Sequence, residues 1–309
     1  MNKNSVIAVV GPTGSGKTKL AIDIAKNVNI LGDFVSAEVI CCDSRQIYLD
    51  MDIATAKPTK EETSIIKHNL YDFVSPERND YSVAVYVKEA KAKIEELLSE
   101  NKLPIIVGGT GLYFKSLLGE FDIPKVAPNY ELREKLNQKS SEDLHNLLKE
   151  KDFELSEKIH QNNKNKIVRA LEVIETLGIP MSQAQKKKET PYNVIWTGLD
   201  SKKRDFLYER INLRCEKMLE QGLIEELKQL LNKYGDIDLI KATIGYKEFL
   251  PYLNNEITYE EAEDKFKQHT RNYAKRQLSW FRADKNINWF YIDEMSEEQI
   301  LESIIKLCS

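Results

Sequence analysis

The sequence predicts an α/β fold built on a parallel sheet, and three features of its first third support that prediction. An apolar run at 5–10 has the character of a buried strand and leads directly into a glycine-rich turn. Two more apolar segments of strand length follow at 37–42 and 103–107. A segment with helical apolar spacing, 82–100, separates those two and has Ser82 as its N-cap. Alternating strands and helices of this kind form parallel sheets, which bind ligands at the carboxyl ends of their strands.

The middle of the chain is predicted to be a helical insertion into this core. Charged segments with helical spacing follow residue 124, at 130–138, 141–151 and 164–177. A strand-like segment at 194–199 then resumes the sheet pattern. The predicted organisation is therefore an α/β core, a helical insertion, and a return to the core with a helical C-terminal region, at 1–119, 120–190 and 191–309.

The last third is predicted to be mostly helical. Thr258 and Glu261 form a capping-box pattern, which begins a long helix that reaches about Phe281. A strand at 287–292 and a helix that begins after Ser296 close the chain.

The glycine-rich turn after the first strand carries a phosphate-binding motif. The run Gly-Pro-Thr-Gly-Ser-Gly-Lys-Thr at 11–18 matches the P-loop pattern G-x-x-x-x-G-K-[ST] at every constrained position. A glycine turn with an incidental Lys-Thr pair is the alternative interpretation. Glycines let backbone N–H groups surround a phosphate, Lys17 adds a cation, and the Thr18 hydroxyl can bind Mg²⁺. The predicted fold class is thus a P-loop NTPase-like core, and the residues predicted to hold a di- or triphosphate are Gly11, Thr13, Gly14, Ser15, Gly16, Lys17 and Thr18.

A second motif, Asp-Ser-Arg-Gln-Ile-Tyr at 43–48, follows the second strand. Asp43 beside a P-loop has two functional interpretations, a Mg²⁺ carboxylate or a general base, and one structural interpretation, a cap for the next helix. Thr110 follows the third strand at the same edge of the sheet. Lys57 lies in a turn shortly after Asp43, and by itself it would be interpreted as a solvated lysine.

The predicted C-terminal helix is basic, although the net charge of the chain is −4. The segment 267–282 contains only basic residues among its charged ones. Basic side chains can neutralise a phosphodiester backbone, while Tyr273 and Trp280 could stack on bases. A solvated helix face is the alternative for the cations, and Trp280 and Phe281 could equally anchor a core.

Composition indicates a cytoplasmic, soluble protein. No apolar run approaches the roughly 20 residues that span a bilayer, and the N-terminus has no signal-peptide pattern. The 4 cysteines form no C-x-x-C pair and do not combine with the 4 histidines as a zinc set. They are expected to be reduced thiols.

Taken together, the motifs resemble those of bacterial tRNA dimethylallyltransferases, also called tRNA isopentenyltransferases. The resemblance extends nearly from end to end. It is carried by the P-loop at 11–18, the Asp-Ser-Arg-Gln-Ile-Tyr motif at 43–48, Met-Asp-Ile-Ala-Thr-Ala-Lys-Pro at 51–58, Gly-Gly-Thr-Gly-Leu-Tyr at 108–113, Arg-Ala-Leu-Glu-Val at 169–173, Ile-Gly-Tyr-Lys-Glu at 244–248, Tyr-Ala-Lys-Arg-Gln at 273–277 and Ser-Trp-Phe-Arg at 279–282.

This resemblance implies a reaction. A dimethylallyl group would pass from dimethylallyl diphosphate to the exocyclic N6 amine of the adenosine at position 37 of tRNA, with release of pyrophosphate. Asp43 would be the general base, assisted by Thr110, while Mg²⁺ at Thr18 would be the cofactor. The helical insertion would hold the anticodon stem-loop, and the chain would act as a monomer away from membranes. The residues expected to contact tRNA are Ser44, Arg45, Gln46, Lys57, Arg169, Lys247, Arg271, Lys275, Arg276, Gln277 and Arg282.

Three other classes of protein share part of the pattern. A small-molecule P-loop kinase would use the same loop for ATP, and a prenyltransferase of free adenine nucleotides would use it for the same diphosphate. Neither needs the basic helix or the helical insertion. An RNA-binding module without catalysis would not need the P-loop.

Overall fold

The structure, a computed structural model, describes residues 1–119, 124, 126–184 and 189–308. Contacts within the chain divide it into two compact units. The larger unit comprises Met1–Leu117 and Pro191–Ser309, and the smaller one comprises Leu118–Thr190. Residue 120, the expected start of the insertion, lies outside the described residues.

The larger unit is built on a 6-stranded sheet in the order β3-β2-β4-β1-β5-β6. Every neighbouring pair of strands is parallel, which confirms the predicted α/β class. The strands are β1 (Ser5–Val10), β2 (Ser36–Cys41), β3 (His68–Asn69), β4 (Lys102–Val107), β5 (Asn193–Asp200) and β6 (Asn288–Tyr291).

The described helices follow the predicted order along the chain, with ends that differ from expectation by a residue or two where an element was predicted. They are α1 (Lys17–Lys26), α2 (Lys60–Ile65), α3 (Val83–Ser99), α4 (Gly111–Leu117), α5 (Tyr130–Asn137), α6 (Ser141–Lys151), α7 (Phe153–Ser156), α8 (Lys164–Leu177), α9 (Met181–Ala184), α10 (Arg204–Glu220), α11 (Leu223–Tyr234), α12 (Asp238–Ala242), α13 (Leu250–Leu253), α14 (Tyr259–Phe281) and α15 (Glu297–Cys308), with a short 3₁₀ turn at Val28–Ile30.

The sheet core explains why β1 is a continuous apolar run. Every residue of Ser5–Val10 is buried, because helices cover both faces of the sheet. One face packs against α1 and α15, where Ile7, Val9, Ile24 and Ile304 belong to the same apolar cluster. The central strands are thereby fixed, and their carboxyl ends are held at one edge.

A second cluster of the larger unit lies among the helices between β5 and β6. Tyr246, Phe249 and Phe266 are fully or almost fully buried there. The predicted capping box begins α14: the Thr258 hydroxyl accepts from the Glu261 N–H, and the Glu261 carboxylate accepts from the Thr258 N–H. Within the described ranges, no helix combines the length and the apolar character needed to cross a bilayer.

The smaller unit has its own core of leucine, isoleucine and valine from α5, α6 and α8. Glu172 of α8 is completely buried within it. Burial raises the pKa of Glu172, but hydrogen bonds from Arg133, the Asn129 N–H and Arg169 more than offset this, so its pKa lies below its usual range. The carboxylate therefore stays ionised and fastens the helices together.

Candidate active site

The P-loop joins β1 to α1 in a conformation that depends on glycine. Gly14 and Gly16 have φ values of 81° and 95°, in the left-handed region that favours glycine. A Cβ at Gly11 would lie 2.6 Å from the Leu199 carbonyl oxygen. The first turn of α1 has no side-chain cap, so its N–H groups are available to an anion.

Two cations face this loop from different elements. The Lys17 ammonium donates to the Pro12 carbonyl at 2.9 Å. Burial and the neighbouring Arg214 lower the pKa of Lys17 to about 7, against the opposing influence of Asp43. Burial also lowers the pKa of Arg214, which reaches the cleft from α10. Two like charges held together at a glycine loop favour the binding of a polyanion.

Asp43 and Thr110 lie beside the P-loop, after β2 and β4. Asp43 Oδ1 accepts from the Arg45 N–H at 2.9 Å, an Asx turn that orients the carboxylate. Thr110 Oγ1 accepts from the Ser44 N–H at 3.0 Å and donates to Ser44 Oγ at 3.3 Å. A Cβ at Gly108 would stand 2.0 Å from the Cys42 carbonyl oxygen, so only glycine permits the two loops to meet so closely.

Helix α14 also lines the cleft, and three of its side chains matter for the site. Tyr273, Arg276 and Gln277 line the cleft. Burial and the negative charge of Asp43 hold the pKa of the Tyr273 hydroxyl above its usual range. Gln277 Oε1 accepts from the Thr13 N–H at 2.8 Å, and its Nε2 donates to the Gly109 carbonyl at 3.1 Å.

The Gln277 side chain is engaged within the protein. Gln277 was expected to contact tRNA, but it is only 5% exposed and both ends of its carboxamide bond backbone groups of the protein.

Lys57 lies in a loop that is held by hydrogen bonds and ion pairs, and it is not a solvated lysine. Its side chain is 7% exposed and pairs with Asp52 and Asp72. Gln46 Nε2 donates to the carbonyls of Thr55 and Ala56 at 2.9 and 2.8 Å, which holds the loop from the Asp43 side.

From the other side, Glu226 of α11 anchors the start of this loop. Its carboxylate accepts from three consecutive N–H groups, at 2.8, 2.7 and 3.1 Å, and from the Tyr246 hydroxyl at 2.6 Å. The residues that donate those N–H groups are Asp52, Ile53 and Ala54.

These elements surround one cleft of about 1010 Å³ in the larger unit. Basic side chains outnumber acidic ones along its walls. The sequence-predicted residues that line it are Thr13, Gly14, Gly16, Lys17, Thr18, Asp43, Ser44, Arg45, Gln46, Lys57, Lys247, Arg276 and Gln277. Gly11 and Ser15 belong to the P-loop but are buried, and the Thr110 hydroxyl accepts from the Ser44 N–H.

The remaining predicted tRNA contacts lie outside the cleft. Arg271 donates to Asn212 at 2.7 Å, and Lys275 stands 5.7 Å from the centre of the Tyr208 ring. Arg282 forms an ion pair with the buried Asp200 at 2.6 Å.

The smaller unit contains the last of these predicted contacts. Arg169 donates to Glu172 and to the Val126 carbonyl, so its guanidinium is engaged within that unit.

The two aromatic residues near the end of α14 differ in exposure. Phe281 is a core residue, 4% exposed, and its ring lies 5.8 Å from that of Phe114. Trp280 is 40% exposed.

Sequence reasoning missed Arg214 as a cleft residue. Helix α10 contains several basic side chains, and nothing in their spacing distinguishes Arg214 from the exposed Arg210 one turn earlier. Only the packing of α10 against the P-loop selects Arg214 for the cleft.

Comparison with known proteins gives a consistent result. Residues 46–284 match the model of a family described as IPP transferase. A tRNA dimethylallyltransferase from Caldanaerobacter subterraneus subsp. tengcongensis is 43% identical over an alignment of 314 positions. The alignment covers 97% of this chain and 96% of that protein.

Two solved structures are similar along the chain. The full-length tRNA isopentenylpyrophosphate transferase of Bacillus halodurans is 37% identical with a TM-score of 0.72, over 98% of this chain and 95% of the other. A eukaryotic dimethylallyltransferase described as acting on tRNA is 27% identical with a TM-score of 0.82, over 98% of this chain and 78% of the other.

Proposed function

Because the chain belongs to the IPP transferase family of tRNA dimethylallyltransferases, we propose that its cleft transfers a dimethylallyl group from dimethylallyl diphosphate to an adenosine of tRNA. The acceptor is the exocyclic N6 amine of adenosine 37, and pyrophosphate is the second product. The observation that carries this proposal is the joint presence of Lys17, Arg214 and Asp43 in one cleft. The cations suit a diphosphate leaving group, and the carboxylate suits an amine that must lose a proton.

The diphosphate lies in the P-loop. The uncapped N–H groups at the start of α1 and the charges of Lys17 and Arg214 stabilise the negative charge that grows on the leaving oxygen as the carbon–oxygen bond breaks. These groups are already in position before reaction, so little reorganisation is needed.

Asp43 takes the proton. As the N6 nitrogen forms its bond to the allylic carbon, an N6 proton passes to the carboxylate, and the electron pair of the broken carbon–oxygen bond leaves with pyrophosphate. Asp43 Oδ1 is engaged by the Arg45 N–H, which leaves Oδ2 for the substrate. Thr110 acts through Ser44, which it fixes next to Asp43.

Mg²⁺ at Thr18 is part of this proposal. The Thr18 residue lines the cleft directly after Lys17, and Mg²⁺ prefers oxygen ligands that include substrate phosphates and water. Among the described residues, no group of three or more His, Cys, Asp or Glu side chains could hold a metal alone. Thr18 would therefore be the residue that holds the ion when substrate is bound, and the ion would supply positive charge that neutralises the leaving group.

The tRNA is held by basic side chains that surround the cleft and by the helical unit. Arg276 and Lys247 line the cleft, where they can reach phosphates close to the target adenosine. The target base must leave its stack to enter the cleft, as in other enzymes that modify bases. We assign the anticodon stem-loop to the unit Leu118–Thr190.

The test is transfer of labelled dimethylallyl to tRNA by Asp43→Asn. The amide keeps the oxygen that accepts from the Arg45 N–H but cannot take a proton, so turnover is expected to fall by about 10²–10⁴ while tRNA affinity stays unchanged. Asp80→Asn is the matched control, since Asp80 pairs with Arg78 on an exposed loop. Turnover of Asp43→Asn equal to that of the control would remove Asp43 from the mechanism.

A further inference from the structure

A buried carboxamide joins two loops of the cleft. Gln277 of α14 accepts from the Thr13 N–H at 2.8 Å and donates to the Gly109 carbonyl at 3.1 Å. Thr13 belongs to the turn after β1, and Gly109 belongs to the turn after β4. These strands are neighbours in the sheet, so one side chain spans the gap between two adjacent strand ends.

Each turn carries a different half of the proposed reaction. The turn after β1 holds the diphosphate, and with it the carbon that is attacked. The turn after β4 continues into Thr110 and lies next to the proposed general base Asp43. A Cβ at Gly109 would stand 3.6 Å from Asp43 Oδ2. Reacting atoms must be held close together and aligned, so the separation of these turns governs the rate.

The side chain at 277 must provide both an acceptor and a donor at a fixed distance. A glutamine provides both, whereas glutamate has no donor, methionine provides neither, and asparagine is one methylene shorter. Its burial also removes competing water, so both hydrogen bonds persist. Tyr273 and Arg276 lie one turn or less away on the same helix and line the cleft, so Gln277 also ties the tRNA-facing helix to the diphosphate loop.

We infer that Gln277 is a positioning residue that sets the separation between the diphosphate loop and the acceptor side of the cleft. This inference rests on the proposed function. It differs from a tRNA contact, because it assigns the side chain to the geometry of the protein and not to binding of the RNA.

The first test is Gln277→Met, which preserves volume and removes both hydrogen bonds. We expect kcat to fall about 10- to 100-fold and KM for dimethylallyl diphosphate to rise, because a displacement of about 1 Å can cost that much, while the dissociation constant for tRNA stays within about twofold. Gln268→Met is the matched control, since Gln268 lies exposed on the same helix. Thermal unfolding of each variant identifies the temperature range in which it is fully folded.

The outcomes of this test separate the alternatives. A decrease in melting temperature with wild-type kcat below the transition would make Gln277 merely structural and would overturn the inference. A weakened tRNA dissociation constant with unchanged kcat would make it a tRNA contact, and would overturn the inference equally. Absence of transfer by the wild-type protein itself would refute the proposed function, and the inference with it.

A second test uses Gly109, where a Cβ would meet Gln277 Nε2 at 2.0 Å. The φ of Gly109 is not positive, so alanine does not require the left-handed region, and its methyl group would collide with the Gln277 carboxamide while making an ordinary contact with Asp43 Oδ2 at 3.6 Å. Gly109→Ala is therefore expected to reduce kcat about as much as Gln277→Ala. The double variant should be no slower than either single one, because the space left by Gln277 accepts the methyl group. Multiplying defects in the double variant would contradict the inference.

Discussion

At the scale of single residues, the unusual group is Lys17. Its pKa is lowered to about 7, because burial and the adjacent Arg214 both disfavour a second positive charge. In the free protein at pH 8, most molecules therefore carry a neutral amine at this position. A bound diphosphate adds negative charge next to the amine, which favours protonation and raises its pKa.

Diphosphate binding above pH 7 should therefore take up a proton at Lys17. Because the free state binds fewer protons than the complex, affinity for pyrophosphate should decrease as pH rises from about 7 to 9. Calorimetry of pyrophosphate binding with Mg²⁺ at pH 8, in buffers of different ionisation enthalpy, measures the uptake. Titration of the ligand itself is common to all variants, so the difference between wild type and Lys17→Met isolates the lysine.

Lys19→Met is the matched control for this measurement, since Lys19 is exposed and pairs with Glu297. It should retain the wild-type proton uptake, whereas Lys17→Met should lose up to one proton per site. Equal uptake in the two variants would mean that Lys17 is protonated before the ligand binds.

Residue types that act through local backbone geometry could be recognised from sequence. The P-loop is one, because its glycines and its Lys-Thr pair act within one turn. Arg214 and the Gln277 bridge could not be recognised, because they depend on which side of α10 and α14 packs against the loop. The burial of Lys57 was missed for the same reason, since Asp72 lies 15 positions away in sequence.

At the scale of elements, α14 and its C-cap Arg282 combine two kinds of basic residue. Lys267 and Arg282 form ion pairs with carboxylates from other helices or strands, Glu216 and Asp200. Within the described part of the chain, Arg271, Lys275 and Arg276 pair with no carboxylate, and they contact Asn212, Tyr208 and Tyr273 instead. The capping box and helix end were predictable, but this division of the charges was not, since the partners lie on α10 and β5.

Neutralising Arg271, Lys275 and Arg276 together should weaken tRNA binding and flatten its salt dependence. In Arg271→Gln/Lys275→Gln/Arg276→Gln, the removal of each cation that binds a phosphate should reduce the slope of log affinity against log salt by somewhat under one unit, about 0.7–0.9. The measurement is a tRNA titration at several salt concentrations.

The control for this helix is Lys267→Gln, which removes one positive charge that Glu216 and Glu263 already neutralise. Its slope should stay near the wild-type value. An unchanged slope in the folded triple variant would mean that this face does not contact the RNA.

At the scale of the whole molecule, the local charge at the cleft is opposite in sign to the net charge of the chain. The net charge is −4, yet basic side chains outnumber acidic ones around the cleft. The chain leaves the core before Leu118 and returns after Thr190, and a Cβ at Gly119 would stand 2.7 Å from the Thr190 nitrogen. The first and last residues of the helical unit are therefore close together. The chain can leave the sheet at β4 and α4 and return to it at β5 without separating those strands.

This organisation predicts which substrates support turnover. In the proposed reaction the leaving group departs from carbon and not from phosphorus, so ATP should be neither required nor hydrolysed. Pyrophosphate release should need Mg²⁺, dimethylallyl diphosphate and an RNA stem-loop with an unpaired adenosine. AMP should be a poor acceptor, because it offers the basic side chains of α14 and the helical unit almost nothing to hold.

The assay supplies ATP or dimethylallyl diphosphate with a stem-loop RNA or with AMP, and follows phosphate, pyrophosphate and the mass of the acceptor. We expect pyrophosphate and an RNA heavier by one dimethylallyl group in a single combination, the prenyl diphosphate with the stem-loop. Phosphate release from ATP would point instead to a P-loop kinase. Prenylation of AMP as efficient as that of the stem-loop would point to an enzyme of free nucleotides, since the basic helix and the helical unit would then contribute nothing to the choice of acceptor.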